Sequence, residues 1–298
     1  MVQVYAEMDA EQVHWVNTLP FPKAIDEHKP GRPSVPNGYG IYYVLACVCY
    51  WFILVFLGVR GGSALLLATS VLFGGTMGLF DDLADLRWRY KALLPVFAAL
   101  PYVVLGPTER TTVSILGGSV NLGGAFLLLL VPLMVTIVTN SYNQLGGLNG
   151  LEAGSGLIVL CGIAIVSSDW TLLACPILVL IFLTYISSTG KAFIGNVGSF
   201  SVGLTLAVVS VIDNLKLMLL ICMLPFIVNS LLILYSNYIL RDRAMTLLDN
   251  DGKLYADRIR SLRTLLLRYR HLSERQTVIA LYLVVLCFVV IGALVELL

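Results

Sequence analysis

From Gly40 onward the chain is a succession of apolar stretches separated by short polar links. The stretches run 40–58, 62–80, 91–106, 122–139, 151–167, 170–188, 200–212, 215–240 and 276–297. A bilayer core about 30 Å thick takes around 20 apolar residues per helix, and in hydrocarbon every backbone N–H and C=O must be paired. The succession therefore predicts an all-α polytopic membrane protein of about nine transmembrane helices. The stretches 91–106 and 200–212 are the weakest of them by length. Composition agrees, with 58% hydrophobic and 12% charged residues and a mean hydropathy of +0.88, where soluble domains carry roughly 25% charged residues. A net charge of +1 offers no field for nucleic acid.

The charges set the orientation. If residues 1–39 form a cytoplasmic N-terminal segment, alternation puts the links 81–91, 139–151, 188–200 and 241–275 on the same side. Of the 19 Lys and Arg residues, only Arg60, Arg110 and Lys216 then fall on the other side, as the positive-inside rule requires. Residues 1–39 hold Glu7, Asp9, Glu11 and several prolines, with no apolar signal-peptide core. The expected organisation is that polar segment followed by a single transmembrane catalytic bundle, 40–298. Thr111–Gly123 alternates around two glycines and predicts a short outer β-hairpin. Arg258–Leu272 mixes Arg with Leu at helical spacing and predicts an amphipathic cytoplasmic helix on the membrane surface. Cys47, Cys49, Cys161, Cys175, Cys222 and Cys287 lie inside apolar stretches and read as small buried hydrophobes. His14, His28 and His271 are scattered and read as surface or interfacial residues.

Unusual polarity collects in the links of the positive side. "GLFDDLADLRWRYKALLP" (Gly78–Pro95) sets Asp81, Asp82 and Asp85 beside Arg87, Arg89 and Lys91. Carboxylates this close repel unless cations sit among them, so the stretch is either a solvated helix end with internal ion pairs or a site for metal and phosphate. "TNSYNQLGGLNGLEAG" (Thr139–Gly154) is rich in amides and glycines and has no positive charge. Irregular backbone at membrane depth is tolerated where it lines a cavity, and glycine lets a flat ring approach closely. "KAFIGNVGSF" (Lys191–Phe200) sets Phe193 three residues before Asn196. "LRDRAMTLLDNDGKL" (Leu240–Leu254) presents Arg241 and Arg243 just outside a membrane helix. Carboxylates and amides together suit a hard cation, Mg²⁺ or alternatively Mn²⁺, shared with substrate phosphates. Lys91, Arg241 and Arg243 suit phosphate oxygens. This set fits phosphoryl transfer between a nucleotide-activated donor and a lipid phosphate. A transporter would place its polarity near the midplane instead.

The motifs "GLFDDLADLRWRYKALLP" and "NQLGGLNGLEAG", in this order, resemble those of the polyprenyl-phosphate N-acetylhexosamine-1-phosphate transferases. Within that family the chain is most similar to the archaeal and eukaryotic UDP-GlcNAc–dolichyl-phosphate GlcNAc-1-phosphate transferases. The similarity runs from about Asp26 to the C-terminus. It implies transfer of GlcNAc-1-phosphate, from UDP-GlcNAc or a related UDP-sugar, to a polyprenyl phosphate of the dolichyl type. UMP is released, in the first membrane step of lipid-linked glycan synthesis. It also implies Mg²⁺ on the donor diphosphate, a site open to the cytoplasm, and a homodimer in the bilayer. Matched residue by residue, Asp81 and Asp82 fall on the paired catalytic aspartates, Asp82 also as a metal ligand, and Lys91 on a phosphate-binding lysine. Asn143 matches a metal-liganding asparagine, Gly147 and Asn149 the uracil-recognition turn, and Phe193 the ring stacked on uracil. Arg241 and Arg243 match the basic pair near the donor's phosphate and sugar, and Lys29, in "DEHKPGRPSVPNGYG", the N-terminal motif lysine. The compact length points to an archaeal plasma membrane before an endoplasmic reticulum.

Three departures qualify this resemblance. The family's aspartate ligand in its "GD" motif is Asn196 here, in "IGNVG". With Asn143 and Asn196 both neutral, cation binding should weaken unless Asp81, Asp82 or the diphosphate supplies charge. Asp242 stands between the two arginines, where an acid would temper anion binding. The family has ten membrane helices, and residues 1–39 are too polar to supply the first. These departures keep open a non-catalytic relative that only binds nucleotide sugar or lipid phosphate.

Overall fold

All nine apolar stretches fold as helix, though unequally. The computed structural model describes residues 21–29, 31–106, 111–115, 118–242 and 246–298. Its helices are α1 (Gly40–Phe56), α2 (Gly61–Ala84), α3 (Trp88–Ala98), α4 (Leu100–Leu105), α5 (Phe126–Leu145), α6 (Leu151–Ser167), α7 (Trp170–Ser188), α8 (Gly195–Ile212), α9 (Lys216–Ile239), α10 (Leu262–Leu267) and α11 (Glu274–Leu297). Among the described residues, α2, α5, α7, α8, α9 and α11 are long and apolar enough to cross a membrane, and α1 and α6 are apolar but shorter. The stretch 91–106 breaks at Ala99 into α3 and α4. Pro101 has no N–H to give to the carbonyl one turn back, so helical pairing stops there. Residues 1–20, most of the polar segment expected before the bundle's strands, lie outside the described residues.

The centre of the bundle is α8, in which every residue from Val197 to Ile212 is buried. It starts at Gly195, five residues before the expected span, because the glycines of "IGNVGSF" serve close packing and not a loop. A methyl group on Gly78 of α2 would lie 2.6 Å from the Val197 Cα, and one on Gly40 of α1 would lie 2.6 Å from the Ile194 carbonyl oxygen. Membrane helices associate through such small residues, since lipid leaves little hydrophobic drive between them.

Short hairpins dress the two ends. Strands β1 (Lys23–Ile25) and β2 (Ser34–Pro36) pair antiparallel, and the chain beyond them is stitched to the link before α8. Phe193 N donates to Pro36 O (2.9 Å), Tyr39 N to Phe193 O (3.0 Å), and Gly40 N to Ile194 O (2.8 Å). At the other end, β3 (Thr112–Ile115) and β4 (Gly118–Asn121) form the hairpin expected over 111–123. There Lys216 Nζ donates to Thr112 O (2.9 Å), and Arg60 bridges Asp169 and Asp213. Strands β5 (Leu247–Leu248) and β6 (Leu254–Tyr255) lie in the last long link.

Three expectations change. The amphipathic helix over 258–272 shortens to α10, because Leu254 and Leu272 pair through their backbones (2.8 and 3.1 Å) and Ala256 N reaches Leu267 O. A Ser261–Thr264 capping box then starts α10. The amide-rich link 139–151 is mostly helical too: α5 continues to Leu145, leaving only Gly146–Gly150 irregular. Of the cysteines, Cys49 and Cys287 are exposed on the outside of the bundle, where lipid would supply the apolar surroundings that protein does not.

The α2–α8 approach predicts that Gly78→Ala costs at least about 1–3 kcal/mol, as overpacking does. Gly62→Ala, which meets nothing within 4 Å, should leave stability unchanged. Melting temperatures of the two variants in detergent check this.

Candidate active site

The end of the bundle carrying the N-terminus of α8 opens into a cavity of about 680 Å³. Five of the expected site residues line it: Asp82 from α2, Asn143 from the last turn of α5, Gly147 from the glycine turn, Phe193, and Asn196 from the first turn of α8. Glu152 of α6 lines it as well.

Asp82 organises the floor. Its Oδ1 accepts from Asn196 N (2.9 Å) and from Asn37 Nδ2 (3.2 Å), and its Oδ2 accepts from Val197 N (2.9 Å). The first N–H groups of a helix have no partner within it and carry its positive dipole end. Asp82 supplies the missing acceptor from another helix. Each carboxylate oxygen has two acceptor sites, so Oδ2 keeps one for the cavity. Glu152, half-buried like Asp82, accepts from Ser199 Oγ one turn into α8. It packs against Gly146, where any side chain would collide with its carboxyl group.

Asp81 is placed differently. It is not part of the cavity wall; its buried Oδ1 takes Lys91 Nζ (2.9 Å) and Leu86 N (3.0 Å). Lys91 also reaches Asp85 (3.4 Å), which ends α2 in a left-handed conformation (φ 44°). Both of the first readings of this stretch therefore have a place in it. Asp81, Asp85 and Lys91 form a local ion-pair cluster, while Asp82 turns to the cavity.

The glycine turn is held from three sides. Gly147 adopts φ 98° and Gly150 φ 83°, a region that favours glycine. Asn149 is not part of the cavity wall: its backbone N donates to Glu274 Oε1 (2.7 Å) and its Nδ2 to Asp26 Oδ2 (2.8 Å). Lys29 pairs with the same Asp26 oxygen (3.3 Å). Arg263 Nη1 donates to Gly147 O (3.3 Å) and lies 3.2 Å from His28 Nε2. His28, expected at a surface, lines the cavity. Burial, and then the charge of Arg263, lowers its pKa from 6.5 to about 4, against the opposite pull of Asp26 and Glu27.

Of the basic pair, Arg243 lies outside the described residues, and Arg241 is not part of the cavity wall. The acid between them is already engaged. Asp242 Oδ2 pairs with Arg260 (3.0 Å) and Arg258 (2.9 Å), and those two guanidinium groups hold its carboxyl below the usual range. Its negative charge is thus met by two arginines of its own link, and its effect on a bound anion is smaller than the sequence alone suggests.

Residues 63–214, just over half of the chain, match the pattern of glycosyl transferase family 4. The chain belongs to glycosyl transferase family 4. A protein of Saccharolobus solfataricus, provisionally named UDP-N-acetylglucosamine–dolichyl-phosphate N-acetylglucosaminephosphotransferase, is 28% identical over 91% of this chain and 87% of its own length. The enzyme of that name from Schizosaccharomyces pombe is 28% identical over 56% of this chain and 44% of its own. A phospho-N-acetylmuramoyl-pentapeptide-transferase of Geobacillus kaustophilus is 27% identical over 74% and 75%. The family match covers α2 to α8, and so takes in the helices that bring Asp82, Asn143 and Asn196 together.

Sequence reasoning passed over Asn37, Glu152, His28 and Arg263. Glu152, His28 and Asn37 stood inside quoted motifs. Arg263 stood in neither of the two leading motifs, because α10 reaches this cavity only through the fold.

As pH falls from about 6.5, an unfolded chain takes up a proton that folded His28 refuses until about pH 4. Stability is thus full above about 6.5 and declines through this window. The melting temperature of His28→Gln should fall less between these pH values than that of the wild type. Equal slopes would show that the imidazole does not titrate as its burial implies.

Proposed function

We propose that this chain transfers a sugar-1-phosphate, GlcNAc-1-phosphate in the first place, from a UDP-sugar to a polyprenyl phosphate of the dolichyl type, releasing UMP. The supporting observation is the convergence of Asp82, Asn143, Gly147, Phe193 and Asn196 on one cavity in a family 4 chain. A lipid phosphate oxygen attacks the β-phosphorus of the donor. A new P–O bond forms while the bond to UMP breaks, and UMP leaves with the electron pair. A phosphate monoester is largely ionised at neutral pH, its second pKa being about 6, so no strong base is needed. The work left to the protein is positioning and charge stabilisation.

In this reading Phe193 offers its ring to uracil and the Gly147 backbone offers an edge beside it. Lys29, Lys91, Arg241 and Arg243 serve the phosphates, and Asp82 faces the reacting groups while Asp81 holds Lys91 in place. The cavity's donors suit a hard cation, being the carboxylates of Asp82 and Glu152 and the amides of Asn143 and Asn196. Among the described residues no three His, Cys, Asp or Glu side chains are grouped to hold a metal. Mg²⁺, or Mn²⁺, would rest on Asp82, on the amide oxygens of Asn143 and Asn196, and on the donor's own phosphates. When bound it would supply positive charge against the diphosphate. The charge asymmetry of the links supports a cytoplasmic opening, in an archaeal plasma membrane, and a homodimer is in keeping with the family resemblance.

Supplying purified protein with polyprenyl phosphate, Mg²⁺ and a panel of UDP-sugars should release UMP, most rapidly from UDP-GlcNAc. Asp82→Asn should lower turnover at least about 100-fold, as the loss of a charge-stabilising group does, and chelation should abolish it. Unchanged turnover in Asp82→Asn would sink its role. Tight UDP-GlcNAc binding without turnover, which the neutral Asn196 keeps in view, would make the chain a non-catalytic binding relative.

A further inference from the structure

Arg263 belongs to neither motif, yet the fold drives it into the site. It sits in the first turn of α10, which is anchored by the Ser261–Thr264 capping box and by Asn229, whose Oδ1 accepts from Leu262 N (3.0 Å). From there its guanidinium lines the main cavity and also a smaller one of about 220 Å³ on the other side of Gly146. It is a partition between the two.

Its hydrogen bonding is incomplete. Nη1 is engaged by Gly147 O and His28, while the buried Nε has no hydrogen-bond partner. No carboxylate stands within ion-pair distance of it among the described residues. Glu27 and Glu274 act on it from farther away, and burial lowers its pKa only to about 10, so it stays charged at neutral pH. The half-buried Arg263 has no carboxylate in contact, and the groups it touches, a carbonyl and a neutral imidazole, carry no charge. An arginine presents donors only, in a fixed planar fork. Because the residue lines the cavity, a ligand there can bring it an acceptor.

We propose that Arg263 is a nucleotide-binding residue, donating to an acceptor oxygen of the bound uridine nucleotide from the wall it shares with Gly147. The ligand class rests on the donor reading above. Two sources of that oxygen have the right chemistry, a phosphate of the nucleotide or a carbonyl of its base. An amine-bearing edge does not.

The test is calorimetric titration of the full-length protein with uridine, UMP and UDP, for wild type, Arg263→Gln and Arg263→Lys. Glutamine keeps a donor for Gly147 O and loses the charge, whereas lysine keeps the charge. Arg263→Gln should weaken binding about 10- to 100-fold, the range for a hydrogen bond to a charged group, with lysine recovering part of it. It should also raise KM for the UDP-sugar more than it lowers kcat. Loss for UMP and UDP alone assigns the oxygen to phosphate, and equal loss for all three assigns it to the nucleoside part, base carbonyls included. Wild-type affinities retained in Arg263→Gln would overturn the assignment alone. Equal losses in both variants, with a lowered melting temperature, would reduce Arg263 to a brace for the turn and overturn it too. Wild-type protein that binds none of the three would overturn the uridine-donor reading and this assignment with it.

Discussion

The first turn of α8, the central helix, sits where the bundle meets the cavity, and its unpaired N–H groups need acceptors there. Left unmet beside the packed α2 backbone, they would cost free energy. Asp82 meets two of them from α2. That requires α2 and α8 to run with their backbones almost touching, which Gly78 allows. The carboxylate that ties the two helices also lines the cavity. Folding and the proposed chemistry therefore draw on one side chain, and the geometry of the site is inherited from that of the helix pair.

Around this floor the chain brings in partners from far along the sequence. Asn37 shares Asp82 with α8, Asp26 and Glu274 together fix Asn149, and Arg263 and His28 flank Gly147. Each tie joins a polar link to another polar link, at the end of the bundle where links meet. The opposite end has its own small cluster, Arg60 with Asp169 and Asp213. The membrane-facing surface between them stays apolar, as helices in lipid require.

What could be read from the sequence follows from what is local. A run of apolar residues has to be a helix in a membrane, so all nine stretches were legible, though the break within 91–106 was not. Asp82, Asn143 and Asn196 stood out because polar residues are rare in such a chain, and the cavity contains them all. The start of α8 was misplaced because glycine reads as a loop signal, while here it marks a close approach of backbones. Asn149 donates its Nδ2 to Asp26, a partner 123 residues away that no local pattern reveals. The length of α10 depended likewise on the pairing of Leu254 with Leu272.

The absence of side chains between α2 and α8 at Gly78 also has a mechanical meaning. Two backbones in contact cannot slide or tilt without colliding, so this part of the molecule has no hinge. The opposite walls are of another kind: a two-stranded strap before α1 and a two-stranded turn before α10, each joined to the bundle by a few hydrogen bonds. Compliance is thus divided unequally, with a stiff base under a yielding roof.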